Sequence, residues 1–342
     1  MNQIALDGLL KQLEKLHPKY IDLSLERLKK LLEKLGNPHL NLPKIIHIAG
    51  TNGKGSTLSF IRQILVENNY KVHCYISPHL ESIEERFIVS NKKITKRKLF
   101  NALKYVKYIN QNDSITFFEI TTATAFYIFN KINADFLILE TGLGGRFDAT
   151  NIIEKSMIDI ITPISLDHQD YLGKSLKKIT REKLGIIKNK STIIIGKQES
   201  FISKYINQKI KKNKNEKIFY NKQYSIFKIK NKRFTIKFNR KLIDFNKPSL
   251  LGNHQIQNAA LAIVASNVIK KNGYNINNKL LNNAIKNNFW PGRLEKVYIK
   301  KIPFFLDGAH NEDGAKKIAN FFSKRNKKTW LIFGMLNNKN MY

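Results

Sequence analysis

Cysteine is almost absent. Cys74 stands alone in 342 residues, so no intramolecular disulfide can form and a thiolate metal site is not expected. Long apolar runs are missing too. No segment approaches the ~18 consecutive apolar residues of a membrane span. The opening Met1–Leu16 carries Asp7 and Glu14 without a continuous apolar stretch, so neither a signal peptide nor a membrane association is expected. No internal repeat or low-complexity linker is visible, and no Ser-His-Asp or reactive-cysteine arrangement is found, which is consistent with chemistry that needs no protein nucleophile. These absences fit a cytoplasmic enzyme, long enough for two or three domains.

Acidic residues are the other scarcity. Only 26 Asp and Glu face 60 Lys and Arg, a formal charge of +34. The excess is uneven: Lys188–Lys247 alone holds 18 basic and 3 acidic residues. Within it, Phe227 and Ile229 alternate with Lys228 and Lys230. Phe234, Ile236 and Phe238 alternate likewise with Arg233, Thr235 and Lys237, across an Asn231-Lys232 turn. The pattern predicts a half-buried hairpin with a basic solvent face. No DNA- or RNA-binding motif accompanies the charge, so no nucleic-acid partner is expected; a positive field would instead steer polyanionic ligands.

What is present is sharpest at residues 47–56, His-Ile-Ala-Gly-Thr-Asn-Gly-Lys-Gly-Ser. An apolar run, Lys44–Ile48, leads into it and a helix-like stretch leaves it. Gly50, Gly53 and Gly55 let backbone N–H groups crowd around an anion, and the helix N-terminus adds partial positive charge. Lys54 supplies a point charge for outer phosphates, and Ser56 a hydroxyl near a metal ion. The general phosphate loop has four residues between its first glycine and its Gly-Lys pair. Here only Thr51 and Asn52 intervene, and Gly55 separates Lys54 from Ser56.

Around this loop the chain alternates strands and helices. Leu25, Leu28, Leu32 and Leu35 predict a helix with Ser24 as N-cap and Gly36 as its stop. Strands are expected at Lys44–Ile48, Lys71–Ile76, Asp135–Leu139, Met157–Ile164 and Thr192–Ile195. Helices are expected after the phosphate loop to about Asn69, over Lys96–Asn110, near Glu119–Ile132, and over Ser175–Lys188, His254–Lys271 and Lys279–Asn287. This is an α/β pattern with a mostly parallel sheet covered on both faces. Around Trp290-Pro291-Gly292-Arg293 the pattern restarts with a strand at Phe304–Leu306, a helix at Glu312–Arg325 and a strand at Thr329–Phe333. The boundary therefore divides 1–290 from 291–342. Ligands of such sheets gather at the carboxyl ends of strands, where Ser77-Pro78-His79, Glu140 and Asp167-His168 fall. Glu140 sits where a phosphate-loop enzyme needs a carboxylate for magnesium.

The motifs in order resemble the bacterial dihydrofolate synthase/folylpolyglutamate synthase family, within the Mur-ligase superfamily of ATP-dependent amide-forming enzymes. The matching stretches are I-D-L-S-L-E-R-L (21–28), A-G-T-N-G-K-G-S (49–56), S-P-H-L (77–80), T-F-F-E (116–119) and I-L-E-T-G-L-G-G-R-F-D-A-T-N (138–151). They continue with L-D-H (166–168), R-E-K-L-G-I (181–186), L-G-N-H-Q-I-Q-N-A (251–259), W-P-G-R (290–293) and D-G-A-H-N (307–311). The short phosphate loop is that superfamily's variant. Ser24 and Leu184 stand where the family usually has glycine and alanine, and Asn338 and Asn340 where it is usually acidic.

The resemblance implies a central Mur-ligase-like phosphate-loop domain followed by a C-terminal Rossmann-like α/β domain. The family continues that domain well past Tyr342, so an incomplete one is expected here. Asn52, Gly53, Lys54, Gly55 and Ser56 would hold ATP, with Asn258 at the base, Arg293 at the phosphates and Asp307 at the ribose. Ser77 and Glu140 would bind one Mg2+ ion. His168 and Lys183, the latter carrying a carbamate in the family, would hold a second. Lys54, Lys183, His168 and His310 form the implied catalytic set. The pterin-bearing substrate would lie along Ile21-Asp22-Leu23, Thr116-Phe117-Phe118-Glu119 and Phe147-Asp148-Ala149. The implied reaction joins L-glutamate to dihydropteroate or a reduced folate, in a monomer. Two other readings stand beside it: a poorly active nucleotide-binding remnant, and a related Mur-type amide ligase. From the residues alone, Asp307 also reads as a strand-end cap, Asp22 as a helix cap and Trp290 as core.

Overall fold

The computed structural model describes residues 3–19, 21–325 and 328–334. The short apolar runs build one eight-stranded sheet. In chain order its strands are β1 (Lys44–Ala49), β2 (Val72–Tyr75), β3 (Phe87–Val89), β4 (Lys92–Lys93), β5 (Phe136–Glu140), β6 (Ile158–Ile161), β7 (Thr192–Ile195) and β8 (Glu216–Phe219). Across the sheet they lie β4-β3-β2-β5-β1-β6-β7-β8. The six strands from β2 to β8 are parallel, and β3 and β4 add an antiparallel edge. β1 is thus central, paired with β5 (Ile48 opposite Glu140) and with β6 (Ala49 opposite Ile161).

Period-two alternation assigns the two faces. Ile46, Ile48, Phe136 and Ile138 enter one core with helices α3 (Lys54–Glu67), α9 (Asn253–Lys271) and α10 (Asn278–Asn287). Ile45, Leu137 and Leu139 enter the opposite core with α1 (Gln3–Glu14), α2 (Glu26–Lys34), α4 (Lys96–Asn110) and α5 (Phe117–Lys131). Further along that sheet, Ile193 and Ile195 pack with Leu172 of α6 (Gln169–Leu172), Ile179 of α7 (Leu176–Leu184) and Ile202 and Ile206 of α8 (Ser200–Lys209). Strands clad on both faces read as unbroken apolar runs, which is why these were visible in the chain. Helix α9 is buried almost all round, and Ala259, Ala260, Ala262 and Ala265 let it approach its neighbours closely.

The basic stretch folds into a three-stranded sheet, β9 (Tyr224–Ile229), β10 (Arg233–Phe238) and β11 (Lys241–Asn246), where a hairpin was expected. Phe234 and Ile236 are buried as the alternation predicts, but Phe227 is 61% exposed and Ile229 45%. For Phe227 the cause is a register shift: Ile236 faces Ile226 while Thr235 faces Lys228, leaving Phe227 as the extra residue of a bulge; Ile229 stays paired with Phe234. Two other expectations are corrected. The N-cap of α2 is Leu25, with Ser24 Oγ accepting from Glu26 N at 3.2 Å. Thr329–Phe333 is irregular and exposed, because no described strand lies alongside to complete its ladder. Helices α1 and α8 and strand β8 carried no reading from the sequence.

Beyond Trp290, the described chain forms an antiparallel hairpin, β12 (Glu295–Ile299) and β13 (Ile302–Leu306), followed by α11 (Glu312–Phe322). Trp290 is half-buried against the first core, so its core reading holds. Asn338 and Asn340 lie outside the described residues. No helix among the described residues is long and apolar enough to cross a membrane.

Candidate active site

The carboxyl ends of β1, β2 and β5 open into one cleft, closed on its far side by the segment from Arg293 to Ile318. At its floor, the turn after β1 bends where only glycine fits. Gly50 has φ +150° and a Cβ there would lie 1.9 Å from Thr162 Oγ1; Gly53 has φ +88° and its Cβ would lie 2.4 Å from Asn258 Oδ1. Thr51 pins the turn to the segment after β6: its Oγ1 donates to Ser165 O at 3.0 Å and accepts from Ser165 N at 3.1 Å. Helix α3 begins at Lys54, so its free N–H groups face the turn.

Two amino groups converge on one carbonyl of this turn. Lys54 Nζ donates to Gly50 O and Thr51 O, both at 3.2 Å. Lys183 Nζ donates to Gly50 O at 2.9 Å from the far end of α7. Burial is the main cause that pushes Lys183 down to about 7, with the Lys54 charge adding to it and Asp167 and Asp148 opposing. A lysine at that value is part neutral amine at physiological pH, and so nucleophilic.

Glu140, at the end of β5, is buried on the other side of the turn. Burial raises its pKa against the charges of Lys54 and Arg293 and the hydrogen bond from Ser77 N at 3.4 Å. Ser77, which precedes Pro78 through a cis peptide, has a buried Oγ with no hydrogen-bond partner. A carboxylate beside an unsatisfied hydroxyl, within the field of a phosphate loop, is a donor pair suited to a hard divalent cation. Among the described residues no three His, Cys, Asp or Glu cluster as a metal cage. Magnesium takes one or two protein oxygens and completes its shell with phosphates and water.

The C-terminal hairpin and α11 meet the turn through Asn52. Its Nδ2 lies 2.7 Å from Asp313 Oδ2 and 3.1 Å from Asn311 Oδ1, and its Oδ1 accepts from Asn311 Nδ2 at 3.1 Å. Asn311 Nδ2 also reaches Asp167 Oδ2 at 3.1 Å, and His310 Nε2 is 3.3 Å from the same oxygen. His168, the left-handed residue before α6 (φ 50°), has its Nε2 3.9 Å from Asp167 Oδ2. Asp307 braces the hairpin: its two oxygens accept from Leu294 N and Ala309 N, each at 2.8 Å. Its strand-end cap reading therefore holds. Arg293 lines the cleft with Nη1 on Gly292 O at 2.9 Å. Asn258 lies beneath Gly53, its Nδ2 on Gln255 Oε1 at 2.9 Å.

A second group of loops joins at Arg27. Its guanidinium bonds Asp22 Oδ2 at 3.2 Å and Glu119 Oε2 at 3.1 Å, so the chain at Ile21-Asp22-Leu23 is tied to the start of α5. There Thr116 and Glu119 form a capping box, while Glu119 Oε1 is buried without a partner. Phe118 stacks on Tyr75 and fills the space where Gly142 lacks a side chain. Phe117 is buried beneath Arg86. Phe147 is exposed beside Arg146, Ala149 is buried, and Asp148 is spent on Leu143 N and Thr150 as a loop cap.

Comparison with known proteins gives this geometry a lineage. The Mur ligase middle domain family matches residues 48–266. The dihydrofolate synthase/folylpolyglutamate synthase of Bacillus subtilis is 36% identical over 329 residues, covering 92% of this chain and 76% of that protein. This chain belongs to the dihydrofolate synthase/folylpolyglutamate synthase family. Solved structures agree. E. coli FolC in complex with DHPP and ADP superposes with TM-score 0.85 at 29% identity, covering 95% of this chain and 75% of that one. An FPGS-AMPPCP-folate complex gives 0.86 at 28%, covering 95% and 80%. A bifunctional folylpolyglutamate synthase/dihydrofolate synthase with Mn, AMPPNP and L-glutamate bound gives 0.81 at 28%, covering 93% and 74%.

Within this folate-ligase framework, the fold gathers Asn52, Gly53, Lys54, Gly55, Ser56, Ser77, Glu140, Asn258, Arg293, Asp307 and His310 around the cleft. Lys183 joins them through Gly50. The sequence reading missed Arg27, which sits inside the quoted I-D-L-S-L-E-R-L stretch, and Asn311, the last residue of D-G-A-H-N. It also missed Asp313 and Lys317, whose only signal was acid-to-lysine spacing of four on a helix.

Proposed function

We propose that this chain uses ATP to join L-glutamate to the carboxylate of dihydropteroate, of a reduced folate, or of both, through an acyl phosphate. A carboxylate oxygen attacks the γ-phosphorus and ADP departs. The glutamate amine then attacks the acyl carbon, losing a proton as inorganic phosphate leaves. Positioning and charge neutralisation carry such a transfer, so no protein nucleophile is needed.

Each side chain has a part. The turn at Gly50–Gly55 and the start of α3 offer N–H groups to the phosphates, with Lys54 as their point charge. Arg293 and His310 reach them from the C-terminal segment, and closure of that segment brings them onto the nucleotide. Asn258 faces the base, and each Asp307 oxygen keeps a second lone pair for a ribose hydroxyl. Ser77 and Glu140 would hold one magnesium ion. His168 and Lys183 would hold another once the Lys183 amine adds carbon dioxide, losing a proton to become a carbamate with two oxygen ligands. Bound magnesium supplies neutralisation of phosphate charge. The pterin lies along Asp22, Thr116–Glu119 and Phe147, where Phe118 offers an aromatic surface.

The observation that carries this reading is the convergence of Lys54, Lys183 and Glu140 on one glycine turn in a chain of this family. The test is magnesium-dependent ADP release with candidate acceptors. Dihydropteroate or a tetrahydrofolate, together with glutamate, is expected to raise release at least about tenfold over ATP alone. Stimulation by a cell-wall nucleotide and not by either pterin would overturn the substrate assignment.

A further inference from the structure

Helix α11 carries a charge pair that the nucleotide roles above leave unused. Lys317 lines the same cleft as Lys54 and Arg293, and its Nζ is ion-paired with Asp313 one turn earlier. The pair is unusual in sharing its oxygen. Asp313 Oδ2 accepts both from Lys317 and from Nδ2 of Asn52 in the phosphate turn, the latter at 2.7 Å. One anionic oxygen therefore bridges a cleft-lining ammonium on the C-terminal segment and an amide donor on the phosphate turn.

Other cationic and titratable groups face this point. Arg293 lies across the cleft. His254, also in the cleft wall, is pushed down to about 4 chiefly by burial and then by the Lys317 charge, so it adds no cation at neutral pH. The wall carries Lys54, Lys317 and Arg293 as cations; Glu140 and Asp307 line the same cleft and Asp167 bonds Asn311, but Asp313 is the carboxylate that bonds both Lys317 and Asn52. A phosphate oxygen offers the same acceptor chemistry with more charge.

We infer that Lys317 is a phosphate-binding residue for the nucleoside triphosphate and that the Asp313 carboxylate is its placeholder, giving up Lys317 and Asn52 to a phosphate oxygen as nucleotide enters. This rests on the nucleotide-dependent reading above. It makes α11 a direct ligand-binding element and couples docking of the C-terminal segment to phosphate occupancy.

Two variants break the same ion pair with opposite predicted results. Calorimetric titration with AMPPNP and magnesium is expected to show Lys317→Gln binding about fivefold or more weakly than the unaltered chain. Asp313→Asn, which removes the competing anion, is expected to bind about two- to fivefold more tightly. A pair that only stabilises α11 would shift both variants the same way, and that outcome, or no change in either, overturns the inference. If the unaltered chain binds no AMPPNP, the nucleotide reading fails and this inference with it.

Discussion

Lys183→Met is expected to stabilise the protein at pH 7 while removing at least about 99% of its ligase activity. The stability gain follows from linkage. In the folded chain Lys183 is buried and held at about 7, far below its ordinary 10.5. Between those values the unfolded chain takes up a proton that the folded chain does not. The contribution of this lysine is therefore fully present above pH 10.5 and is lost as pH falls toward 7. The deficit near neutrality is on the order of 4–5 kcal/mol as an upper bound. Methionine has similar bulk and no charge, so the variant should resist urea better than the parent at pH 7, and the difference should close near pH 11. A parent more stable than the variant at pH 7 would mean that the amine is not desolvated as described. The activity loss follows from the carbamate proposed for Lys183, which methionine cannot form.

Lys54→Met is expected to slow acyl-phosphate formation by about 10³ or more, with a smaller, roughly tenfold loss of nucleotide affinity. The split reflects where the charge matters. In the proposed reaction Lys54 faces the phosphates in the ground state, but negative charge spreads over the transferred group most fully in the transition state. The fold should be retained, because among the described residues the Lys54 amine bonds Gly50 O and Thr51 O and it lines the cleft. Single-turnover ADP formation and AMPPNP titration separate the two effects. Equal losses in rate and affinity would assign Lys54 to ground-state binding alone.

The parallel sheet was legible because its strands are short, apolar and separated by helix-length segments. The phosphate turn was legible because glycine spacing, lysine and following helix lie within ten residues. Contacts made across the chain were harder. Arg27 reaches Glu119 over 92 residues, and Asn52 reaches Asn311 over 259, so neither pairing has a local signature. Phe227 faces outward despite its perfect alternation, because it is the extra residue of a bulge in β9, while Ile229 beyond it still pairs with buried Phe234. Asp148 illustrates the opposite case. It sits in a stretch with a functional resemblance, yet the structure commits both of its oxygens to its own loop.

These placements share one logic. The sheet delivers a carboxylate at Glu140 and a turn at Gly50 to adjacent positions through the pairing of β5 with β1. α7 then delivers Lys183, and the C-terminal segment delivers Arg293 and His310. In the proposed reaction each group would act on phosphate charge, the barrier to turning an inert carboxylate into an acyl donor.

The most direct measurement follows oxygen. Dihydropteroate labelled with ¹⁸O in its carboxylate, turned over with ATP, glutamate and magnesium, should yield inorganic phosphate carrying one labelled oxygen per amide formed. Unlabelled phosphate, or label appearing in AMP, would contradict the acyl-phosphate account.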